Sequence, residues 1–164
     1  MKRAACYSGL LLFFIFSCKK ESSDLNESNL IITTGSYCGW CAGNDSLSIT
    51  AKKTFYEFVN PCDKKTYTKD TLTIKSDWEN LVAKLDWNEF QKTEVNSCNV
   101  CVDGCDIWVA IINSESHKIR YGYSDSAAIQ KMKPFLLKLD SIRTHFRKII
   151  SHQLIEEKNT KSIR

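Results

Sequence analysis

Cys98-Asn99-Val100-Cys101-Val102-Asp103-Gly104-Cys105-Asp106-Ile107-Trp108-Val109-Ala110-Ile111-Ile112 joins three cysteines in eight residues to an unbroken apolar run from Ile107 to Ile112. A run of that length and composition predicts a central strand covered on both faces. The cysteines at its entry predict either a cross-link or a reaction centre. Far upstream, Cys38-Gly39-Trp40-Cys41 repeats the two-residue spacing of Cys98 and Cys101.

Downstream of that run, Asn113-Ser114-Glu115-Ser116 is turn-forming and Lys118-Ile119-Arg120-Tyr121-Gly122-Tyr123 alternates, which predicts a hairpin with one wet face. Ile129, Met132, Leu136, Leu139, Ile142, Phe146 and Ile149 then recur at three and four residues, the period of one long amphipathic helix. Pro134 removes a backbone donor inside it, so a kink or a fresh start near Met132 is expected.

Upstream, Ser76-Asp77-Trp78-Glu79 reads as a capping box opening a helix that carries Trp78, Leu81, Val82 and Leu85, and Leu85, Trp87 and Phe90 suggest a second short amphipathic piece or a continuation bent near Asp86. Before it, Leu47 to Ile49 and Thr54 to Val59 read as an antiparallel hairpin ended by Asn60-Pro61-Cys62-Asp63. Thr66 to Ile74 adds a strand or a connector, and Leu30 to Thr34 is a first strand. The economical packing is α+β: an antiparallel sheet of about four to six strands, with a mid-chain helix and a long C-terminal helix on one face.

The N-terminus supplies an address. Lys2 and Arg3 precede Leu10-Leu11-Leu12-Phe13-Phe14-Ile15-Phe16, too short to span a bilayer and suited to a secretory signal. Ile15-Phe16-Ser17-Cys18, followed by Lys19-Lys20-Glu21 and a polar run, resembles a bacterial lipoprotein lipobox and the lipoprotein starts common in the Bacteroidota. The resemblance implies that residues 1–17 are cleaved as a signal peptide. Cys18 then becomes acylated and palmitate-type chains anchor it to a membrane, each buried methylene contributing about 0.8 kcal/mol. It implies an outer membrane lipoprotein, with the periplasmic or surface face left open.

On this reading residues 18–29 form a flexible tether, 30–155 a single domain and 156–164 a charged, fraying tail. Losing residues 1–17 removes Lys2 and Arg3 and no acid, so the balance falls from +4 to +2. Such a surface offers no electrostatic footprint for nucleic acid.

The body then holds Cys38, Cys41, Cys62, Cys98, Cys101 and Cys105. An even set in an oxidising envelope predicts structural disulfides, of unspecified connectivity. Cys41 to Cys98, or Cys38 to Cys105, would tie the cysteine stretch to the glycine-rich front of the domain. Either bridge would contribute roughly 4 kcal/mol in the chain-entropy model.

Two other chemistries fit the same residues. One is thiol-disulfide exchange by Cys38 and Cys41, although neither opens a helix as thioredoxin-like motifs do. The other is a zinc site made by Cys38, Cys41, Cys98 and Cys101. Asn99 and Asp103 superficially resemble a calcium loop, but Cys101 and Ala110 occupy ligand positions, so Asp103-Gly104 reads as a turn and Asp106 as a strand cap.

Hydrolase, phosphate-loop and dinucleotide signatures are missing from the sequence, so no catalytic residue, cofactor or metal is assigned. The order of elements loosely resembles envelope metalloprotease inhibitors of the emfourin type, with no inhibitory motif carried over. The expectation is a non-enzymatic binding or structural module with a protein or carbohydrate partner. Tyr37, Trp40, Tyr121 and Tyr123 are the exposed aromatic candidates for contacting it.

Overall fold

The computed structural model describes residues 26–39, 43–122 and 126–162. Cys18, Trp40, Cys41 and Tyr123 lie outside these residues, as do the signal segment and most of the tether. Six strands form one antiparallel sheet: β1 (Ile31–Cys38), β2 (Asn44–Ile49), β3 (Lys53–Val59), β4 (Thr66–Leu72), β5 (Cys105–Ile112) and β6 (Ser116–Tyr121). Their order is β4-β3-β2-β1-β5-β6, so the expected hairpins form and β1 brings the two halves together. Three helices follow the expected plan: α1 (Lys75–Val82), α2 (Trp87–Lys92) and α3 (Ala127–Ser162). The fold is α+β, as the hydrophobic pattern requires.

Strand alternation divides the sheet into a covered and an open face. Ile32, Leu47, Ile49, Tyr56, Val109, Ile111 and Ile119 point to the covered face and pack with Trp78, Leu81, Trp87 and Phe90 of the short helices. From α3 come Ile129, Met132, Phe135, Leu139, Ile142, Phe146 and Ile150. Among the described residues the helices occupy one face only, so β5 is not covered on both sides as its apolar run suggested. Trp108 and Ala110 are half-buried on the open face, and Ile112 there is exposed.

One local expectation changes. The Ser76–Glu79 capping box does not form: α1 begins at Lys75, straight after extended Ile74, and lacks a side-chain cap. The chain leaves β4 at Leu72 and turns at once, placing Ser76 inside the helix. Of the two expectations near Asp86, the second short helix is the one that forms: Asp86 caps α2, its Oδ1 accepting the Glu89 N–H at 3.0 Å. α3 runs as one helix through Pro134 and on to Ser162.

A buried ionic cluster docks α3 on the sheet. Asp45 on β2 occupies a covered-face position, and its side chain is 0% exposed. Its Oδ1 accepts from the Ser36 N–H (2.9 Å), the Ser36 hydroxyl (2.6 Å) and Arg143 Nη1 (3.3 Å). Its Oδ2 accepts from the Tyr56 hydroxyl (2.9 Å) and from Arg147 Nε and Nη2 (3.1 and 2.7 Å). Burial alone would raise the Asp45 pKa. Arg143, the Ser36 hydroxyl, Arg147 and the Tyr56 hydroxyl outweigh it and hold the carboxyl below its ordinary value.

Candidate functional site

The chemistry-bearing residues gather where β1 ends and β5 begins. Cys38 and Cys105 are directly opposite in the β1–β5 register and are joined by a disulfide, with Cα atoms 4.1 Å apart. Both are half-buried. A second disulfide joins Cys98 to Cys101 across a 3-10 turn, Asn99–Val102, that buries none of its residues. Cys98 therefore does not reach Cys41, and of the two ties expected from the sequence the one present is Cys38–Cys105. Cys62 sits exposed in the turn after β3 as a free cysteine.

The two bonds differ in what they constrain. Cys38–Cys105 spans a sequence separation of 67, whereas Cys98–Cys101 spans 3. In the chain-entropy model these correspond to about 4 and about 2 kcal/mol. The long bridge is a cross-link between two halves of the sheet. The short one staples only its own turn.

That turn is held by its backbone as well. Asp106, buried at the start of β5, accepts the Ser97 hydroxyl (3.1 Å) and the N–H groups of Asn99 (2.8 Å) and Val100 (3.5 Å). Gly104 N–H donates to the Asn99 carbonyl (2.8 Å), Gly39 N–H to the Gly104 carbonyl (3.1 Å) and Ser97 N–H to the Arg120 carbonyl (2.8 Å). Asn99 also lies against Gly122 so closely that any side chain at 122 would collide with its amide. Asp106 is thus the anchor of the cysteine turn, a larger role than the strand cap expected. Asp103 closes the turn in the left-handed region, φ 60°, next to Gly104.

Around the corner, the open face presents aromatic surface. The indole of Trp108 lies across Gly35, where an added Cβ would be 2.8 Å from the ring, and Lys118 Nζ stands 4.7 Å from an indole ring centre. Tyr37, two residues further along β1 on the same face, is 53% exposed. A flat indole with Lys118 over one ring and the exposed Tyr37 nearby suits stacking against a sugar ring or a peptide side chain.

Gly35→Ala tests this arrangement, because its methyl would meet both the Asp45 carbonyl oxygen and the Trp108 ring. The expected loss is about 2–3 kcal/mol in urea denaturation, together with a red-shifted Trp108 emission as the indole is pushed into water.

Of the predicted binding aromatics, Tyr37 is on this surface and Tyr121 is not. Tyr121 pairs with Ile107 on the covered face, so it is buried. Burial, opposed by Arg143 and reinforced by Asp140, pushes its hydroxyl up to about 12. Trp108 was missed because the apolar run hid its alternation: in a sheet covered on one face it had to emerge opposite Val109. The disulfides leave Cys38, Cys98 and Cys101 without thiolates for a four-cysteine zinc centre. Among the described residues no three His, Cys, Asp or Glu side chains cluster as metal ligands. No protein-family model matches the chain, and no curated protein is significantly similar to it.

Proposed function

We propose that this chain is a lipid-anchored module of the bacterial cell envelope, non-enzymatic in its main role, that holds its open sheet face toward a protein or carbohydrate partner. The observation that carries the reading is the Cys38–Cys105 cross-link between adjacent strands. A stabilising disulfide of this kind persists in an oxidising compartment, the compartment to which the lipobox-like Ile15-Phe16-Ser17-Cys18 would send the chain. Acylation at Cys18 then fixes the domain to the membrane through a polar tether, and Tyr37 and Trp108 offer contact area for the partner. Among the described residues no helix is long and apolar enough to cross a membrane.

Detergent phase partitioning of the expressed full chain tests the anchor. The wild type enters the detergent phase as a processed form. Cys18→Ser stays aqueous or accumulates as the longer precursor. If the variant is processed and partitions like the wild type, the anchor assignment is wrong.

A further inference from the structure

The cysteine turn carries a chemistry beyond attachment and binding. Cys98 and Cys101 are both exposed, and Val102 beside them is 79% exposed. Their bond closes the shortest loop that a Cys-x-x-Cys pair allows, and the turn keeps its shape through contacts that do not involve sulfur. Asp106 holds the backbone N–H groups of Asn99 and Val100, Gly104 bonds back to Asn99, and Ser97 is tied to β6. Opening the bond therefore leaves the strands, the core and the Cys38–Cys105 cross-link in place.

By contrast, Cys38 and Cys105 are half-buried and joined between directly paired strands, whereas Cys98 and Cys101 are both exposed. Among the described residues, then, one disulfide is built to constrain and one is placed to be reached.

We propose that Cys98–Cys101 is an exchangeable disulfide, reduced by an exposed dithiol of a partner protein. In the first step a partner thiolate attacks one of the two sulfurs. A mixed disulfide forms, the Cys98–Cys101 bond breaks and the other cysteine leaves as a thiolate. In the second step the partner's other thiol, deprotonated, attacks the mixed disulfide. The partner gains a disulfide, and Cys98 and Cys101 become a dithiol after taking up the two protons the partner lost. Two electrons pass from partner to turn, and the reverse sequence with a partner disulfide restores the starting bond.

The thiol-disulfide chemistry considered for Cys38 and Cys41 is thereby relocated, since Cys38 is engaged by Cys105. Val102 supplies an apolar contact beside the sulfurs for the partner's approach.

The test uses the folded, processed chain treated with dithiothreitol at low concentration without denaturant, then quenched with acid, alkylated and peptide-mapped over time. Cys98 and Cys101 are expected to become alkylatable at least tenfold faster than Cys38 and Cys105. One cyclic disulfide of the reagent should form per chain, with the far-ultraviolet circular dichroism unchanged. A Cys98→Ser, Cys101→Ser double variant should keep the fold and lose the fast phase. With a single Cys101→Ser chain, the remaining Cys98 thiol should form a stable mixed disulfide with a peptide carrying an activated disulfide. Equal rates at both disulfides, unfolding that accompanies reduction of the turn, or a Cys98 thiol inert to that peptide would each overturn the proposal. Because none of these readings depends on acylation, they stand or fall separately from the membrane anchor.

Discussion

Asp45→Ala destabilises the domain by about 3–5 kcal/mol, the effect of removing one partner from a buried ion pair. The alanine leaves Arg143, whose side chain is 8% exposed, as a buried cation with only Asp140 beside it. The hydroxyls of Ser36 and Tyr56 lose their acceptor as well. Arg147 suffers less because its side chain is 47% exposed and water can solvate it. Urea denaturation at neutral pH measures the loss, and the midpoint should fall without a change in slope.

The pH dependence of the wild type follows from the same residue. A folded carboxyl held below its ordinary value of 3.8 contributes stability that is fully present above that value and lost as pH falls through the lower folded value. The wild type should weaken below about pH 4, and Asp45→Ala should weaken less over that interval because it has already lost this contribution. Replacing Asp45, Arg143 and Arg147 together by apolar residues of similar volume should recover much of the loss. That outcome would assign the cluster to register specification instead of net stabilisation.

The second large effect belongs to the long disulfide. A Cys38→Ser, Cys105→Ser double variant should lose about 4 kcal/mol, since a closed loop with a sequence separation of 67 is released in the unfolded chain. Thermal unfolding under non-reducing conditions measures it. The matching Cys98→Ser, Cys101→Ser variant should lose about 2 kcal/mol or less, because the turn keeps its ties to Asp106 and Arg120. Comparable losses in the two variants would mean that the short bond also supports the fold.

Residue patterns carried most of the architecture. Alternation at Leu47, Ile49 and Tyr56 defines the covered face, and the three-and-four spacing from Ile129 to Phe146 defines α3 against it. Where the reading went astray, a local signal was overridden by chain connectivity or by the number of layers. Ser76 lost its cap because β4 and α1 abut. Trp108 was assigned to the interior because a continuous apolar strand suggests two covered faces, whereas this sheet has one.

The ionic cluster was legible but unread. Asp45 shares the inward parity of Leu47 and Ile49, and Arg143 and Arg147 lie on the helix face of Leu139, Phe146 and Ile150. A charge at an inward position on both elements predicts a buried pair. Which cysteines meet was not legible, because pairing depends on the β1–β5 register, and that register joins residues about seventy positions apart. Asp106 likewise becomes the anchor of the turn only once β5 places it beneath Asn99 and Val100.

Peptide mapping of the processed, non-reduced chain by mass spectrometry tests the account most directly. The account predicts a Cys38–Cys105 cross-link, a Cys98–Cys101 link within one peptide and an acylated Cys18 at the amino terminus. A Cys38–Cys41 bond, or a chain whose body cysteines are all free thiols, would contradict it.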